Sequence, residues 1–190
     1  MLTKTKQTWL VVGIVLLALV LDQWSKVYIK THFELGEARE VFSWFWIVFV
    51  ENNGMAFGIE WFSKLLLTLF RIVAVGVIGW YIHTLIHKQT VRTGYLATVA
   101  MVIAGALGNI IDCVCYGKIW GYADWFHGKV VDMLYFPLIR NAAGEVLFFR
   151  PVFNIADSFI TVAVLLIIIF YRKDLDESLN LIFPKKESKA

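Results

Sequence analysis

Four aspartates stand at or inside long apolar runs, and their positions suggest chemistry. Asp157 lies in RPVFNIADSFITVAVLLIIIFY, residues 150–171, and from Pro151 to Tyr171 it is the only formal charge. As a helix from Pro151 this stretch covers ~30 Å, the thickness of a bilayer's hydrocarbon core. Pro151 suits a first helical turn, and Arg172 and Lys173 suit the opposite end. The reading puts Asp157 ~9 Å below the start of that helix. A carboxylate there is unfavourable unless neutral, paired or hydrated, which makes it a functional residue by default. Asp132 lies just upstream in GKVVDMLYF (128–136), which reads as a strand. Asp112 closes TGYLATVAMVIAGALGNIIDCVCY (93–116), and Asp22 falls late in WLVVGIVLLALVLDQWSKVYI (9–29). Asn109 and Asp112 share a helix face, as do Asn154 and Asp157. Acids gathered in a low dielectric cannot all ionise, so one stays neutral and a proton is shared. Two such acids can activate water between them, one as general base and one as general acid. The sequence offers no suitable Ser–His or Cys–His pairing and no metal-ligand cluster.

These acids need elements that bring them to one depth. The chain has 190 residues, 59% of them hydrophobic and 17% charged, which marks a multi-pass membrane protein rather than a soluble domain. The net charge of +3 is spread out, and no basic aromatic stripe points to nucleic acid. The expected fold is an α-helical integral membrane protein with four transmembrane helices and a small extracytoplasmic β-sheet at the membrane surface. Residues 1–8 form a cytoplasmic N-terminus. A single four-span domain covers 9–173, with spans at about 9–29, 62–87, 93–116 and 151–171 and extracytoplasmic segments at 30–61 and 117–150. Residues 174–190 form a frayed cytoplasmic tail. The first span resembles a signal peptide, but Asp22, Lys26 and Lys30 follow where a small-residue cleavage site would be, so it reads as uncleaved. The short basic connection at 88–92 favours the cytoplasmic side. All four aspartates then lie near the outer face. Gly94, Ala97, Gly105, Ala106 and Gly108 allow close helix packing in the third span.

Other signals have plainer readings. Residues 41–50, VFSWFWIVFV, read as a strand followed by an Asn53-Gly54 turn, with aromatic side chains toward lipid. Asn141 and Gly144 mark a further turn. Asp22 and Lys26 form either a local ion pair or part of a polar site. Arg71, inside a span, reads first as a structural partner for a carboxylate. His83 and His87 read as solvated, and Cys113 and Cys115 as small apolar residues, too close in sequence for an easy disulfide.

Five short motifs carry a resemblance. They are Asp22-Gln23 with Lys26; Asn52-Asn53-Gly54-Met55-Ala56-Phe57-Gly58; Gly105-Ala106-Leu107-Gly108-Asn109-Ile110-Ile111-Asp112; Val130-Val131-Asp132; and Phe153-Asn154-Ile155-Ala156-Asp157. In this order, over residues 9–171, the set resembles the bacterial lipoprotein signal peptidases, signal peptidase II. The resemblance implies an aspartic endopeptidase of the cytoplasmic membrane, a hydrolase without cofactor. It would cleave the signal peptide of a diacylglyceryl-modified prolipoprotein just before the lipidated cysteine. It implies a catalytic pair at Asp132 and Asp157. Asn52, Gly54, Gly105, Asn109, Asp112 and Asn154 would support that pair, with Asp22 and Lys26 near it. Prolipoproteins and membrane lipids are the implied partners, the protein acting as a monomer with its site near the outer face. Two departures stand out. Cys113 occupies a position where the family usually has arginine, for which Arg71 is a candidate replacement. The connection from Asp112 to Asp132 is about ten residues longer than usual. The alternatives are a proton-coupled transporter relaying through Asp22 and Asp157, which the absence of an internal repeat disfavours, and a non-catalytic membrane scaffold.

Overall fold

The computed structural model describes residues 2–53, 64–88, 91–141, 146–148 and 151–184. Helix α1 runs Lys4–His32, α2 Lys64–Lys88 and α3 Thr93–Ile111. A π-helical turn, Asp112–Tyr116, and a short α4, Gly117–Ile119, extend α3. Helix α5 is Ile155–Phe170, and α6 is Arg172–Ile182. The strands are β1 Ala38–Phe42, β2 Phe45–Asn52, β3 Val130–Tyr135, β4 Ile139–Arg140, β5 Val146–Phe148 and β6 Val152–Phe153. The chain is an α-helical membrane protein carrying a small sheet. α1, α2 from Leu65 and α3 with its extension are each long and apolar enough to cross a bilayer, and α5 reaches that mark only together with α6, which bends away by 91°.

The helices meet where small residues let backbones approach. A Cβ on Gly105 would stand 2.3 Å from the Ala156 carbonyl oxygen, which brings α3 against α5. A Cβ on Gly108 would stand 2.5 Å from the Asp22 carboxylate, which brings α3 against α1. Gly94 receives the Tyr171 ring. One apolar cluster fills the far end of the bundle, with Leu85 of α2, Tyr95, Leu96 and Val99 of α3, and Val11 and Ile14 of α1 packed on it. A second cluster, Ile29, Phe49, Tyr116, Val131 and Met133, seats the sheet on the near end of α1.

The sheet is antiparallel, in the order β1-β2-β3-β6. Residues 41–50, expected as one strand, belong to a hairpin that reverses at Ser43 and Trp44. Gly54, of the expected turn, lies outside the described residues. The Asn141 turn signal falls between β4 and β5, which pair antiparallel.

Two expectations are corrected. The last span does not begin at Pro151. Val152 and Phe153 pair with Tyr135 and Leu134 of β3, and the helix starts after Asn154, whose side chain caps it. Asp157 therefore stands in the first turn, not deep in a helix. The tail is not frayed from residue 174. Asp174 accepts hydrogen bonds from the Arg92 backbone N–H and from the guanidinium Nε at 2.9 Å, and Ser178 packs against Tyr81 beneath α6. These contacts hold an amphipathic helix in place.

Candidate active site

Asn154 organises the site. Its Oδ1 accepts from the Asp157 backbone N–H at 3.0 Å, and its own N–H donates to Asp157 Oδ2 at 3.4 Å. This reciprocal pair is a capping box, with an Asn–Asp pair in place of the usual residues. The same side chain donates from Nδ2 to Asp132 Oδ1 at 2.7 Å and to Asn109 Oδ1 at 3.1 Å. One fully buried amide thus binds the Asp132 carboxyl and the Asp157 backbone. Asp132 arrives on β3, with its second oxygen accepting from Asn52 Nδ2 at 3.1 Å. In the sheet register Val50 faces Asp132, so Asn52, two residues on, is its diagonal neighbour on the same face. Asp157 Oδ1 accepts from Asn109 Nδ2 at 2.8 Å. Asn109 shares a helix face with Asp112, and it reaches Asp157 across the tight packing of α3 on α5 at Gly105.

Beneath lies a buried ionic hub. Lys26 Nζ is 2.9 Å from Asp22, 2.8 Å from Asp112 and 3.0 Å from Asn109 Oδ1, with its side chain fully buried. Asp22 also accepts from the Ala156 N–H at 2.9 Å, and Asp112 from the Val131 N–H at 3.3 Å. Asp22 and Lys26 therefore pair with each other, and each also bonds to residues of α3 or α5. Such a buried pair is retained only where further hydrogen bonds satisfy it, and here they do. The hub ties α1, α3, β3 and the start of α5 into one frame. Two of its members are not among the expected site residues. Gln23 donates to Asp22 at 3.0 Å, to the Gly108 carbonyl at 3.2 Å and to Asp112 at 2.9 Å. Tyr116 donates to Gln23 Oε1 at 3.1 Å. Gln23 had a signal, since it stands beside Asp22 in the first of the five motifs. Tyr116 lies four residues after Asp112, on the π-helical turn, a form of helix frequent at functional sites.

Arg71 reaches into this layer from α2, its Nη1 3.4 Å from Cys113 Sγ. Gly54 lies outside the described residues. Gly105 and Gly108 act by their lack of a side chain. His83 and His87 lie side by side on α2, with ring centroids 4.3 Å apart. Among the described residues, no group of three His, Cys, Asp or Glu side chains has a metal-holding arrangement.

The acids have unequal surroundings. Burial, and then the charge of Asp157, push Asp132 up to about 7, against the Asn52 and Asn154 hydrogen bonds and the Lys26 charge that favour its ionised form. An acid that holds its proton near neutrality beside a second carboxyl is the arrangement needed for acid–base work on water. Asp157 also borders an apolar groove of about 430 Å³, lined by Pro151, Phe153, Ser158, Thr161 and Val162. Phe153 stacks on Phe136, and Phe136 on Trp44, so an aromatic row runs from the groove across the sheet toward β1.

Residues 14–172 match the family described as signal peptidase (SPase) II. The chain is 42% identical to a lipoprotein signal peptidase of Porphyromonas gingivalis, over 90% of this chain and 86% of the relative. It is 35% identical to one from Amoebophilus asiaticus, over 91% of this chain and 82% of that protein. A solved structure, described as a bacterial membrane enzyme obtained by the in meso method at 2.3 Å, superposes with a TM-score of 0.63 at 29% identity, covering 95% of this chain and 93% of the other.

Proposed function

The chain belongs to the signal peptidase II family and is a peptidase that removes signal peptides from prolipoproteins, and on that premise we propose that Asp132 and Asp157 are its catalytic pair. A water between the two carboxyl groups attacks the peptide carbonyl just before the lipid-modified cysteine. One acid takes the water's proton while the other donates to the developing oxyanion or the leaving amine. The observation carrying this reading is the single Asn154 amide that binds Asp132 while capping the helix of Asp157. It supports a pair held in fixed geometry before substrate arrives.

The remaining roles follow from the same reading. Asn52 and Asn109 orient one carboxyl each. Asp22, Lys26 and Asp112 hold the frame and do not touch substrate. The apolar groove beside Asp157 receives the hydrocarbon part of the lipidated substrate. Arg71, next to Cys113, supplies the cation that meets a substrate carbonyl. The site faces the outer side of the cytoplasmic membrane, both termini lie inside, and the protein works as a monomer.

The test is incubation of the purified protein with a diacylglyceryl-modified precursor and with its unlipidated twin. Cleavage of the first alone is expected. Asp132→Asn and Asp157→Asn should each reduce turnover by about 10³-fold or more while melting like the parent protein. Near-parental turnover by either variant refutes the pair.

A further inference from the structure

A second charged cluster sits under the same two strands, and the catalytic hydrogen bonds do not use it. Lys30, near the end of α1, pairs with Glu51 Oε1, and Lys129 Nζ lies 3.1 Å from Glu51 Oε2. The Lys30 ammonium is boxed by three rings, 5.2 Å from the centroids of Trp120 and Tyr122 and 5.5 Å from that of Phe49. Tyr122 Oη accepts from the Lys129 backbone N–H at 2.8 Å. The Lys30 and Glu51 side chains are only 8% and 11% exposed. Cations held against aromatic faces and a shared carboxylate in this shelter are bound more firmly than surface pairs. Burial alone would push Glu51 up, but hydrogen bonds and charge from Lys30 and Lys129 outweigh it and hold the carboxyl below its usual range.

The cluster joins three pieces of chain: the end of α1, the last residues of β2, and the long connection, which supplies Trp120, Tyr122 and Lys129. Glu51 pairs across to Val131, adjacent to Asp132, and immediately precedes Asn52. Side chains alternate along a strand, so Glu51 is gripped beneath the sheet while Asn52 presents its amide to Asp132 on the opposite face. The β2–β3 register shifts between Ile47 and Val50, so the last residues of β2 do not inherit their alignment from the rest of the strand. We propose that the Lys30–Glu51–Lys129 clasp fixes the end of β2 so that Asn52 meets Asp132, making Glu51 a positioning residue for the catalytic pair. This deepens the peptidase reading and rests on it.

The groups facing Asp132 are Asn52 from β2, Asn154 and Asp157 from the start of α5, and Lys26 from α1, with Asp22 and Asp112 behind Lys26. Those facing Glu51 are Lys30 and Lys129, with Tyr122 beside them. Asn52 donates to the Asp132 carboxylate and so favours its ionised form. Releasing Asn52 must make Asp132 hold its proton to higher pH.

The experiment compares the parent with Glu51→Gln, Glu51→Asp, Asn52→Ala and the Glu51→Gln/Asn52→Ala double variant, all full-length in liposomes. Turnover of the diacylglyceryl-modified precursor is followed across pH. The protonated Asp132 carboxyl is titrated by infrared difference spectroscopy and assigned by its loss in Asp132→Asn. Glu51→Gln should lower kcat roughly ten-fold with KM little changed, the pattern of lost orientation rather than lost binding. It should also move the alkaline limb and the Asp132 titration upward. Glu51→Asp should recover part of the loss, and in the Asn52→Ala background Glu51→Gln should add nothing. Independent losses in the double variant, an unmoved titration, or a change in KM alone overturn the proposal. If Glu51→Gln does not melt cooperatively, Lys129→Met, which removes one arm of the clasp, is read in its place, with the same direction expected. If the parent cleaves no precursor, the peptidase reading fails, and the clasp stands or falls on the Asp132 titration alone.

Discussion

At the scale of single residues, the site turns on where protons rest. Asp132 is held up to about 7, first by burial and then by the neighbouring Asp157 charge. Its neutral form is therefore favoured by the folded protein. The stability it contributes is complete at low pH and is lost as pH rises through about 7. If the shared proton is needed for catalysis, kcat falls along the same alkaline limb, with a slope of one proton. A pH–rate profile on the lipidated precursor checks this, and a kcat flat from about pH 6 to 9 contradicts it. The residue types were legible in the sequence: an aspartate in an apolar run, two Asn-x-x-Asp spacings, and Lys26 one turn from Asp22. Half of the hub could be read from that one-turn spacing, which is a local rule. The rest of the hub, Lys26 to Asp112, and the Asn52–Asp132 bond above it join residues far apart in the chain. No periodicity reports such contacts; the resemblance of ordered motifs placed these residues near one another.

At the scale of elements, the start of α5 was misread because two signals compete. Pro151 suits a helix, and so does the apolar run after it, but Val152 and Phe153 are also good strand residues with a partner waiting on β3. Asn154 then satisfies the orphan N–H groups that the displaced helix start exposes. The Asn154-x-x-Asp157 spacing, read as a shared face and a supporting residue, is also the cap itself. Packing between elements is set as sharply. Gly108→Ala drives a methyl toward the Asp22 carboxylate, which Lys26, Gln23 and the Ala156 N–H hold in place. A loss of about 1–3 kcal/mol is expected, with a lower melting temperature in detergent. Gly13, whose Cβ would meet nothing within 4 Å, provides the control: Gly13→Ala should leave the melting temperature unchanged or slightly raised.

At the scale of the molecule, composition alone foretold the membrane class, and alternating apolar and polar stretches foretold the helices. The docking of α6 was not foretold, since its charges read as tail-like until Arg92 and Tyr81 are placed opposite them. The acids gather at one end of the bundle, and the Arg92–Asp174 contact closes the other. The proposed orientation predicts that Leu35→Cys, at a position 64% exposed, reacts with an impermeant thiol reagent applied outside intact cells, in a background with both native cysteines changed to serine. Lys88→Cys should react only once the inner face is opened. The reverse pattern turns the molecule over.

The bend at Tyr171 has a consequence for the surrounding lipid. α5 has 16 residues before α6 departs at 91°, so it reaches ~24 Å where the hydrocarbon slab measures ~30 Å. A rod too short for its slab makes the bilayer pinch around it. On the proposed reading, such a pinch along α5 shortens the path by which headgroups and bulk water reach the groove beside Asp157.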